Sequence, residues 1–454
     1  MREALRGSHQ DYTEGPIGRA ILLLAVPMVL EMVMESLFAV VDVFFVSKLG
    51  ASAVATVGLT ESMLALIYTV AMGLSIGVTA MVARRTGERE PDRAAVTAVQ
   101  AIALGVIVAG LLGGPGAFFA GDLLRIMGAT PDVVTQGSMF TRIMLGGNVV
   151  IMLIFLINAI FRGAGDAAIA MRVLWLSNGL NIILDPIFIF GLGPVPALGV
   201  TGAAVATTIG RGTGVLFQFY ALARRSERVK VTRRHLQLSP ATMLQLIKLS
   251  GTGTFQVLVG TASWIGLVRV LATFGSEALA GYTIAIRIIL FALLPAWGLS
   301  NAAATMVGQG LGARKPDRAE RAVWIAGRYN LAFLGLSGLL FFLFAGPIVH
   351  LFTSEPTVSE YARRGLRIVS LGFPFYAYGM VLTQSFNGAG DTWTPTLINL
   401  FCFWCWELPI AFLLSVTFGV GPLGVFVAIA VAFSTLAVVS AAIFRRGKWK
   451  QRIV

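Results

Sequence analysis

The sequence predicts an all-α integral membrane protein with twelve transmembrane helices in two parallel six-helix repeats. Of its 454 residues, 56% are hydrophobic and only 13% are charged, and the mean hydropathy is +0.81. Soluble domains contain roughly 25% charged residues. Apolar stretches recur that reach the ~20 residues a helix needs to cross a bilayer. The second half of the chain also matches the first when it is shifted by 225 positions.

The apolar stretches lack the two-residue alternation that is typical of β-barrel strands, so they are expected to be helices. The predicted spans lie near residues 17–47, 52–83, 93–119, 133–161, 168–190, 199–223, 243–274, 278–308, 319–345, 359–386, 393–418 and 423–444. The first sixteen residues are polar and do not form a cleavable signal peptide. The first span is therefore expected to be a membrane anchor.

The match at 225 positions runs through the whole of each half. Residues 163–166 (Gly-Ala-Gly-Asp) recur at 388–391, and Pro91, Asp92 and Arg93 recur at 316–318. The turns at 163–166 and 388–391 share this sequence, and each provides an aspartate that can cap the following helix. Because six is even, the repeats are parallel and are related by an axis along the membrane normal. Transporters built in this way bind substrate between the halves near the midplane, so we expect a central cavity between two lobes.

The expected domains are an N-terminal lobe (1–223), a basic cytoplasmic linker (224–242) and a C-terminal lobe with a basic tail (243–454). The net charge of +13 comes largely from basic residues in alternate connections, which the positive-inside rule places in the cytoplasm. Both termini are then expected to be cytoplasmic, and the expected localisation is the plasma (inner) membrane of a prokaryote, as a multi-pass protein. The charge thus predicts a topology and no nucleic-acid partner. Three outer-side residues, Arg363, Arg364 and Arg367, are not explained by this rule.

Charged side chains within the spans are the best candidates for a functional site, because each costs at least about 2.5 kcal/mol at the bilayer centre. Glu31, Glu35 and Asp42 lie within about 40° of one another on one face of the first span. Glu31 and Glu35, together with Glu61 of the second span, are expected to face the cavity, with packing as the alternative for Glu61. Pro27 precedes this stripe and allows a kink, either static or mobile.

A second polar stripe lies in the fifth span, where Asn178, Asn181 and Asp185 fall within about 60° of one another. Asp185 and Asp42 are predicted at the same depth, so the two stripes could meet. Two aspartates with the amide of Asn181 form an oxygen-rich site that suits either Na⁺ or H⁺. The alternative is a hydrogen-bonded cluster that only fixes helix packing. Asn178 is expected in the substrate cavity.

The repeat provides a comparison within the chain, because the second half lacks these side chains. The positions equivalent to Asp42, Asn181 and Asp185 hold Leu267, Trp406 and Ile410. Coupling chemistry is therefore predicted in the first lobe. The polar residues inside the second-half spans are different ones: Arg269, Arg287, Asn301, Asn399 and Glu407.

The chain resembles the multidrug and toxic compound extrusion (MATE) family over nearly its whole length. The resemblance rests on residues 24–27 (Leu-Ala-Val-Pro), Val41-Asp42, residues 162–166 (Arg-Gly-Ala-Gly-Asp), the stretch from Asn181 to Pro186, residues 202–207 and residues 307–312. It implies V-shaped lobes that alternate between inward and outward states, and export of organic, often cationic and amphipathic compounds as Na⁺ or H⁺ enters. Within the family the chain is similar to the DinF-like branch, whose cation site implies Asp42, Asn181, Asp185 and Thr207 as ligands.

The sequence therefore favours a cation-coupled antiporter that needs no cofactor, handles small organic molecules in contact with membrane lipids, and acts as a monomer. A lipid flippase of the same superfamily is the first alternative. It would need a basic cavity for phosphate, whereas the first lobe is expected to be acidic. A membrane-embedded enzyme is disfavoured, because His9, His235 and His350 fall outside the spans and Cys402 and Cys405 are expected to be packing residues.

Overall fold

The computed structural model describes residues 2–7, 10–226 and 228–452, and His9 lies outside these ranges. After a short helix α1 (Arg2–Arg6), the first half of the chain forms eight helices. They are α2 (Ile17–Ser47), α3 (Ala51–Gly87), α4 (Pro91–Phe118), α5 (Ala120–Ile126), α6 (Pro131–Gly146), α7 (Asn148–Ala164), α8 (Ala167–Phe190) and α9 (Val200–Tyr220).

The linker contains a π-helical turn (Ala221–Arg225) and a 3₁₀ turn (Arg233–His235). The second half forms α10 (Pro240–Ala272), α11 (Ser276–Gly312), α12 (Pro316–Leu343), α13 (Ala345–His350), α14 (Pro356–Gly388), α15 (Trp393–Asn399), α16 (Leu408–Phe412) and α17 (Leu423–Arg445). Two π-helical segments, Leu400–Glu407 and Leu413–Thr417, make α15 and α16 parts of one continuous span. A final 3₁₀ turn covers Lys448–Gln451.

Twelve helical spans are present in the described residues, as the sequence predicts. Eleven are long and apolar enough to cross a membrane, with α6 and α7 counted as one. The remaining span is α9, whose apolar character is reduced by four threonines, four glycines and Arg211. Its 21 residues still give a length of about 31 Å, enough for the hydrocarbon core.

The structure has the internal duplication that the sequence predicts. Helices α3 and α4 span residues 51–87 and 91–118, and α11 and α12 span 276–312 and 316–343, so both ends of each helix are shifted by 225 positions. The turn between each pair contains an arginine with positive φ, Arg89 at 59° and Arg314 at 58°. A left-handed arginine at equivalent positions is an unfavourable conformation that both halves have kept.

The two lobes pack against each other through α3 with α10 and α11, and through α2 with α11. We call the central part of this contact, between α3 and α11, the seam. A Cβ atom on Gly87 would clash with the carbonyl of Gln309, and one on Gly312 would clash with the carbonyl of Arg84. These four residues are two pairs of equivalents, so the pseudo-twofold axis passes between the two helices. Nearby, Thr305 Oγ1 donates to the Arg162 carbonyl at 3.0 Å. This buried bond helps to hold the lobes together.

The N-terminal strap, residues 10–15, lies over the seam and is bound to the second lobe by Arg318. The guanidinium of Arg318 donates to the carbonyls of Tyr12 (3.0 Å), Glu14 (2.7 Å) and Gly15 (2.8 Å). Lys315 Nζ donates to the carbonyl of Thr13 at 3.1 Å. Four backbone carbonyls of the strap are thus held by one helix start of the second lobe.

The same strap also binds the first lobe and the linker. Arg89 Nη2 lies 3.0 Å from Asp11 Oδ2 and 3.2 Å from Glu14 Oε1. Tyr12 is 3% exposed and donates from its hydroxyl to the Gly165 carbonyl, while the Arg228 guanidinium lies 4.6 Å from its ring centroid. The strap therefore bridges both lobes across their closed end.

The C-terminal tail lies at the same end of the bundle. Arg452 pairs with Asp391 at 3.1 Å, Lys450 pairs with Glu320 at 2.6 Å, and Arg84 of the first lobe donates to the Arg452 carbonyl. We call this end, which carries the strap, the linker, the tail and the α3–α4 and α11–α12 turns, the basic end. The basic connections that the sequence places on one side do come together here.

The two predicted aspartate caps behave differently. Asp391 accepts hydrogen bonds from the backbone (3.3 Å) and hydroxyl (2.7 Å) of Thr394 and so caps α15. Asp166 accepts instead from Ser226 Oγ at 2.6 Å and lies 3.6 Å from Arg228 Nε. The prediction of a helix cap at Asp166 is wrong, because this carboxylate is used to fasten the linker to the first lobe.

The structure explains the three basic residues that break the charge rule. Glu360 pairs with Arg363 at 2.5 Å and with Arg364 one turn later. Arg367 donates to the Phe342 carbonyl at 3.1 Å and lies 5.9 Å from the Phe342 ring. All three are therefore held by local partners at the start of α14, away from the basic end.

Candidate functional site

A cavity of about 550 Å³ lies between the lobes. The inner end of the cavity lies at the seam and is lined by Thr79, Arg162, Ala304 and Gly388. The walls that lead away from the basic end come from first-lobe residues, including the apolar side chains of Phe38, Val57, Leu64 and Phe140. The second lobe contributes Leu294, Trp297, Asn301, Gln384 and Asn387. The cavity is therefore closed towards the basic end.

The polar stripe of α2 lies in this cavity. Glu31, Glu35 and Asp42 all line it, as does Glu61 of α3. The first three are four and seven residues apart, so helical geometry keeps them on one face of α2. The structure thus brings together the four carboxylates that the sequence singles out in the first two spans.

Glu31 is buried and tied to α7. Arg162 Nη1 donates to Glu31 Oε1 at 2.7 Å, and Asn158 Nδ2 donates to the same oxygen at 3.1 Å. Only 1% of the Glu31 side chain and 10% of the Arg162 side chain are exposed. The other oxygen, Oε2, is buried without a hydrogen-bond partner among the described residues. Glu31 is therefore neutralised by a neighbour rather than available as a free charge.

Glu35 is also paired, with partners from α9 and α8. Arg211 Nη2 lies 3.2 Å from Glu35 Oε1, and Asn178 Nδ2 donates to Glu35 Oε2 at 3.2 Å. The Glu35 side chain is 28% exposed and the Arg211 side chain only 5%, so the carboxylate faces the cavity and the guanidinium lies behind it. Asn178 is 1% exposed and supports Glu35 from behind, outside the lining of the cavity.

Asp42, Asp185, Asn181 and Thr207 form one cluster near the end of the cavity that is remote from the seam. The Asn181 amide nitrogen lies 3.4 Å from Asp185 Oδ1 and 3.1 Å from Thr207 Oγ1. If the amide group is rotated so that its oxygen faces Thr207, the nitrogen donates to Asp185 Oδ2 at 3.0 Å and the oxygen accepts from Thr207 Oγ1 at 3.1 Å. In this orientation both the nitrogen and the oxygen of Asn181 have a hydrogen-bond partner. Asp185 is fully buried, and the Asp42 carboxylate lies close enough to act on it electrostatically.

This cluster presents the oxygen atoms of two carboxylates, an amide and a hydroxyl. Asp42 and Thr207 line the cavity itself, whereas Asn181 and Asp185 lie directly behind them. Asp42 Oδ1 is buried and has no hydrogen-bond partner in the described part of the chain. Across those same residues, no group of three or more His, Cys, Asp or Glu is placed to hold a metal ion. Carboxylate, amide and hydroxyl oxygen atoms can bind a small cation, and a pair of nearby carboxylates can hold a proton.

Pro27 lies inside the unbroken helix α2 and next to a close contact with the second lobe. A Cβ atom on Gly298 of α11 would lie 2.6 Å from the Met28 carbonyl. The α2 backbone therefore touches the other lobe at the residue after the proline. A bend at Pro27 would change this contact directly.

Sequence reasoning missed two charged residues of the cavity wall, Arg162 and Arg211. The first lobe was expected to be acidic, and this was incomplete, because both arginines line the cavity and each pairs with one glutamate. A signal existed for Arg211, since it lies within the predicted span 199–223 and a charge inside a span indicates a functional position. Arg162 entered the sequence analysis only through the family resemblance at residues 162–166.

The chain is similar to several known proteins along its whole length. Residues 27–187 and 255–413, one segment in each half, match the MatE family. The "Probable multidrug resistance protein NorM" of Thermotoga maritima is 27% identical over 462 aligned positions, which cover 100% of this chain and 98% of that protein. The "FAD transporter" of Shewanella oneidensis is 25% identical over 405 positions, covering 89% of this chain and 90% of that protein.

Solved structures agree with this likeness. One is described as the "Outward-facing conformation of a multidrug resistance MATE family transporter of the MOP superfamily"; it has a TM-score of 0.89 and 28% sequence identity, and it covers 97% of this chain and 98% of its own. The arrangement of twelve helices in two lobes is thus shared with a known transporter structure.

Proposed function

The chain belongs to the MatE family, and on this basis we propose that it exports organic, often cationic and amphipathic compounds in exchange for H⁺ or Na⁺. The observation that carries the proposal is the cavity between the lobes, closed at the basic end and lined by four carboxylates. Such a cavity would bind both a positively charged cargo molecule and a coupling ion. Alternating access between the two lobes would carry both across the membrane.

The positive-inside rule supports the orientation. The strap, the linker and the tail are all at the basic end, which is then the cytoplasmic end of a multi-pass protein in the plasma (inner) membrane of a prokaryote. With the seam closed on that side, the cavity faces outward, the state in which cargo leaves and the coupling ion binds. Transport by a monomer in direct contact with membrane lipids fits a cavity formed by a single chain.

Cargo would bind along the apolar wall and near the free carboxylates. The cavity is lined by aromatic and methionine side chains, which hold amphipathic molecules of different shapes. Glu31 and Glu35 are paired with arginines, so Asp42 and Glu61 remain to attract a cation. Tyr68 and Trp297 provide ring faces that favour organic cations.

The coupling ion would bind at Asp42 and Asp185, with Asn181 and Thr207 as further ligands. Asp42 is shared between this cluster and the cargo cavity, which gives the two ligands a physical reason to compete. Coupling is reciprocal, so an ion that lowers the affinity for cargo is itself displaced by cargo. A proton and Na⁺ both fit the oxygen atoms of the cluster.

The test is efflux of a cationic dye from proteoliposomes, driven separately by a Na⁺ gradient and by a pH gradient. The wild type is expected to respond to one of them. Asp42→Asn and Asp185→Asn are each expected to lose ion-driven transport while still binding the dye. Full activity of both variants under the gradient that drives the wild type would contradict the proposed coupling site.

A second candidate is the flipping of a lipid-linked precursor or another lipid, and one observation favours it. Arg162 and Arg211 are in the cavity, and a phosphate group needs basic partners. A relative named for the transport of FAD, a diphosphate, shows that anionic cargo occurs among similar proteins. The pairing of both arginines with glutamates disfavours this function. Flipping of a fluorescent phospholipid, without dye transport, would favour lipid flipping over the export of organic compounds as the function.

A further inference from the structure

Arg211 is a fixed positive charge in the wall of a cavity that is also lined by four carboxylates and by Arg162. Its side chain is 5% exposed, and it is held by the Glu35 carboxylate and by two aromatic rings, Phe38 at 5.3 Å and Tyr68 at 5.8 Å. An arginine side chain remains protonated at all physiological pH values. The cavity therefore contains a permanent internal cation that neither the coupling ion nor the cargo replaces.

Arg211 lies near two carboxylates of α2, those of Glu35 and Asp42. It lies four residues after Thr207 on α9, so it is one helical turn from the ion cluster on the same side of the helix. It contacts Glu35 at 3.2 Å, and its charge also acts on Asp42. Glu35 is seven residues before Asp42 on α2. Arg211 thus lies behind the α2 carboxylates, where it reduces the negative potential that a cargo molecule experiences.

The Nε atom of Arg211 is buried and has no hydrogen-bond partner among the described residues. An unpaired buried donor costs free energy. The ion pair with Glu35 and the contacts with the two aromatic rings are therefore the interactions that hold the Arg211 charge in the cavity wall.

Building on the proposed function, we propose that Arg211 is a specificity-determining residue that weakens the hold of the cavity on organic cations, so that the cargo dissociates from the outward-facing state. An exporter must release its cargo, and a more negative cavity would bind a cation more tightly and release it more slowly. Affinity differences between related complexes lie mainly in the dissociation rate. Arg211 therefore lowers the affinity of the cavity for cations and increases the rate of transport. It has no such effect on neutral compounds.

The experiment compares three variants with the wild type, using tetraphenylphosphonium as the cationic probe. Arg211→Gln removes the charge, Arg211→Lys retains it, and Glu35→Gln with Arg211→Gln removes one charge of each sign. Binding is measured by calorimetry on the purified protein in nanodiscs. Initial rates of uptake into proteoliposomes, at several probe concentrations, give KM and kcat.

Arg211→Gln is expected to bind the probe about tenfold more tightly than the wild type and to have a lower kcat, because one unit of positive charge near the bound cation is lost. Arg211→Lys and the double variant are expected to remain within about threefold of the wild type. An uncharged ligand of similar size, triphenylphosphine oxide, is expected to bind the wild type and Arg211→Gln equally. Thermal unfolding of every variant reports whether it is folded.

Two results would overturn the inference while leaving the proposed function intact. One is unchanged affinity and kcat in a folded Arg211→Gln protein. The other is equal loss of activity in Arg211→Lys and Arg211→Gln, which would show that the exact shape of the arginine matters and not its charge. If Arg211→Gln does not fold, the lysine and double variants decide, since both must then resemble the wild type. Failure of the wild type to bind or transport the probe would overturn the proposed function and this inference together.

Discussion

Helix α8 and the span Trp393–Thr417 occupy equivalent places in the two halves, yet they differ in backbone and in chemistry. α8 is an unbroken α-helix that carries Asn181 and Asp185. Its counterpart contains two π-helical segments and places Trp406 and Ile410 at the equivalent positions. The buried carboxylate of that span is Glu407, which is 4% exposed. The two spans thus begin and end at nearly equivalent residues, while their backbone geometry and their polar side chains differ.

The largest effect expected from this comparison concerns ion coupling. Asp185→Asn should lower ion-driven dye transport by at least about tenfold, because it removes one of the two carboxylates in the cluster. The equivalent change in the second lobe, Ile410→Asn, should leave the ion dependence unchanged and reduce stability by about 1 kcal/mol. Transport under ion gradients and thermal unfolding measure the two effects. Loss of coupling in Ile410→Asn would show that the second lobe also binds the ion.

The next effect tests the symmetry of the seam. Gly87→Ala and Gly312→Ala each place a methyl group against a backbone carbonyl of the other lobe, and each should reduce stability by about 1–3 kcal/mol. Gly110→Ala in α4 is the control, because a Cβ atom there meets no atom within 4 Å. This change should increase stability by about 0.5–1 kcal/mol, as alanine is the better helix former. Thermal unfolding in detergent gives all three values, and unequal losses at Gly87 and Gly312 would indicate an asymmetric seam.

A smaller effect concerns Arg318 and its equivalent Arg93, of which only Arg318 binds the strap. Arg318→Gln removes the bonds from Arg318 to three carbonyls of the strap, at a cost of about 1–2 kcal/mol. Arg93 is the equivalent residue of the first half, but it pairs with Glu90 at 2.5 Å. Hydrogen exchange of residues 10–15 should become faster in Arg318→Gln and stay unchanged in Arg93→Gln. Equal exchange rates in the two variants would mean that the strap is held by other contacts.

The smallest effect concerns the left-handed arginines. Glycine adopts this conformation without strain, so Arg314→Gly should increase stability by up to about 1 kcal/mol. Arg89→Gly gains the same conformational term but loses the ion pairs of Arg89 with Asp11 and Glu14, so its net change should be nearer to zero. Thermal unfolding at low and high salt separates the two terms. An equal gain in both variants would show that the Arg89 pairs add nothing.

Much of the fold could be predicted from the sequence, because its signals lie along the chain. Twelve spans follow from hydropathy, and the equivalence of α3 with α11 follows from the offset of 225 positions. The assignment to the DinF-like branch, the identity of the coupling ion and the membrane orientation remain predictions. For the site, helical spacing correctly grouped Glu31, Glu35 and Asp42 on the cavity wall.

The rest of the site could not be predicted, because it depends on which helices are neighbours. Asn178 was expected in the cavity but is buried behind Glu35, a placement set by the packing of α8 against α2. Thr207 was assigned only from a family resemblance, and the contact of α9 with α8 is what brings it to Asn181. The polar first sixteen residues gave no indication of a strap that contacts both lobes.

By itself, the sequence determined that the protein is helical, that it spans a membrane, that it is a duplicated unit, and that the first half carries the carboxylates. These properties depend on residue type and on spacing along a helix, which are local. The tertiary structure alone decided which charges are free, since the partners Arg162 and Arg211 lie 131 and 176 positions from Glu31 and Glu35. It also decided which end of the cavity is closed, because Arg318 binds Tyr12 across 306 positions. Such contacts exist only once the helices have packed against one another.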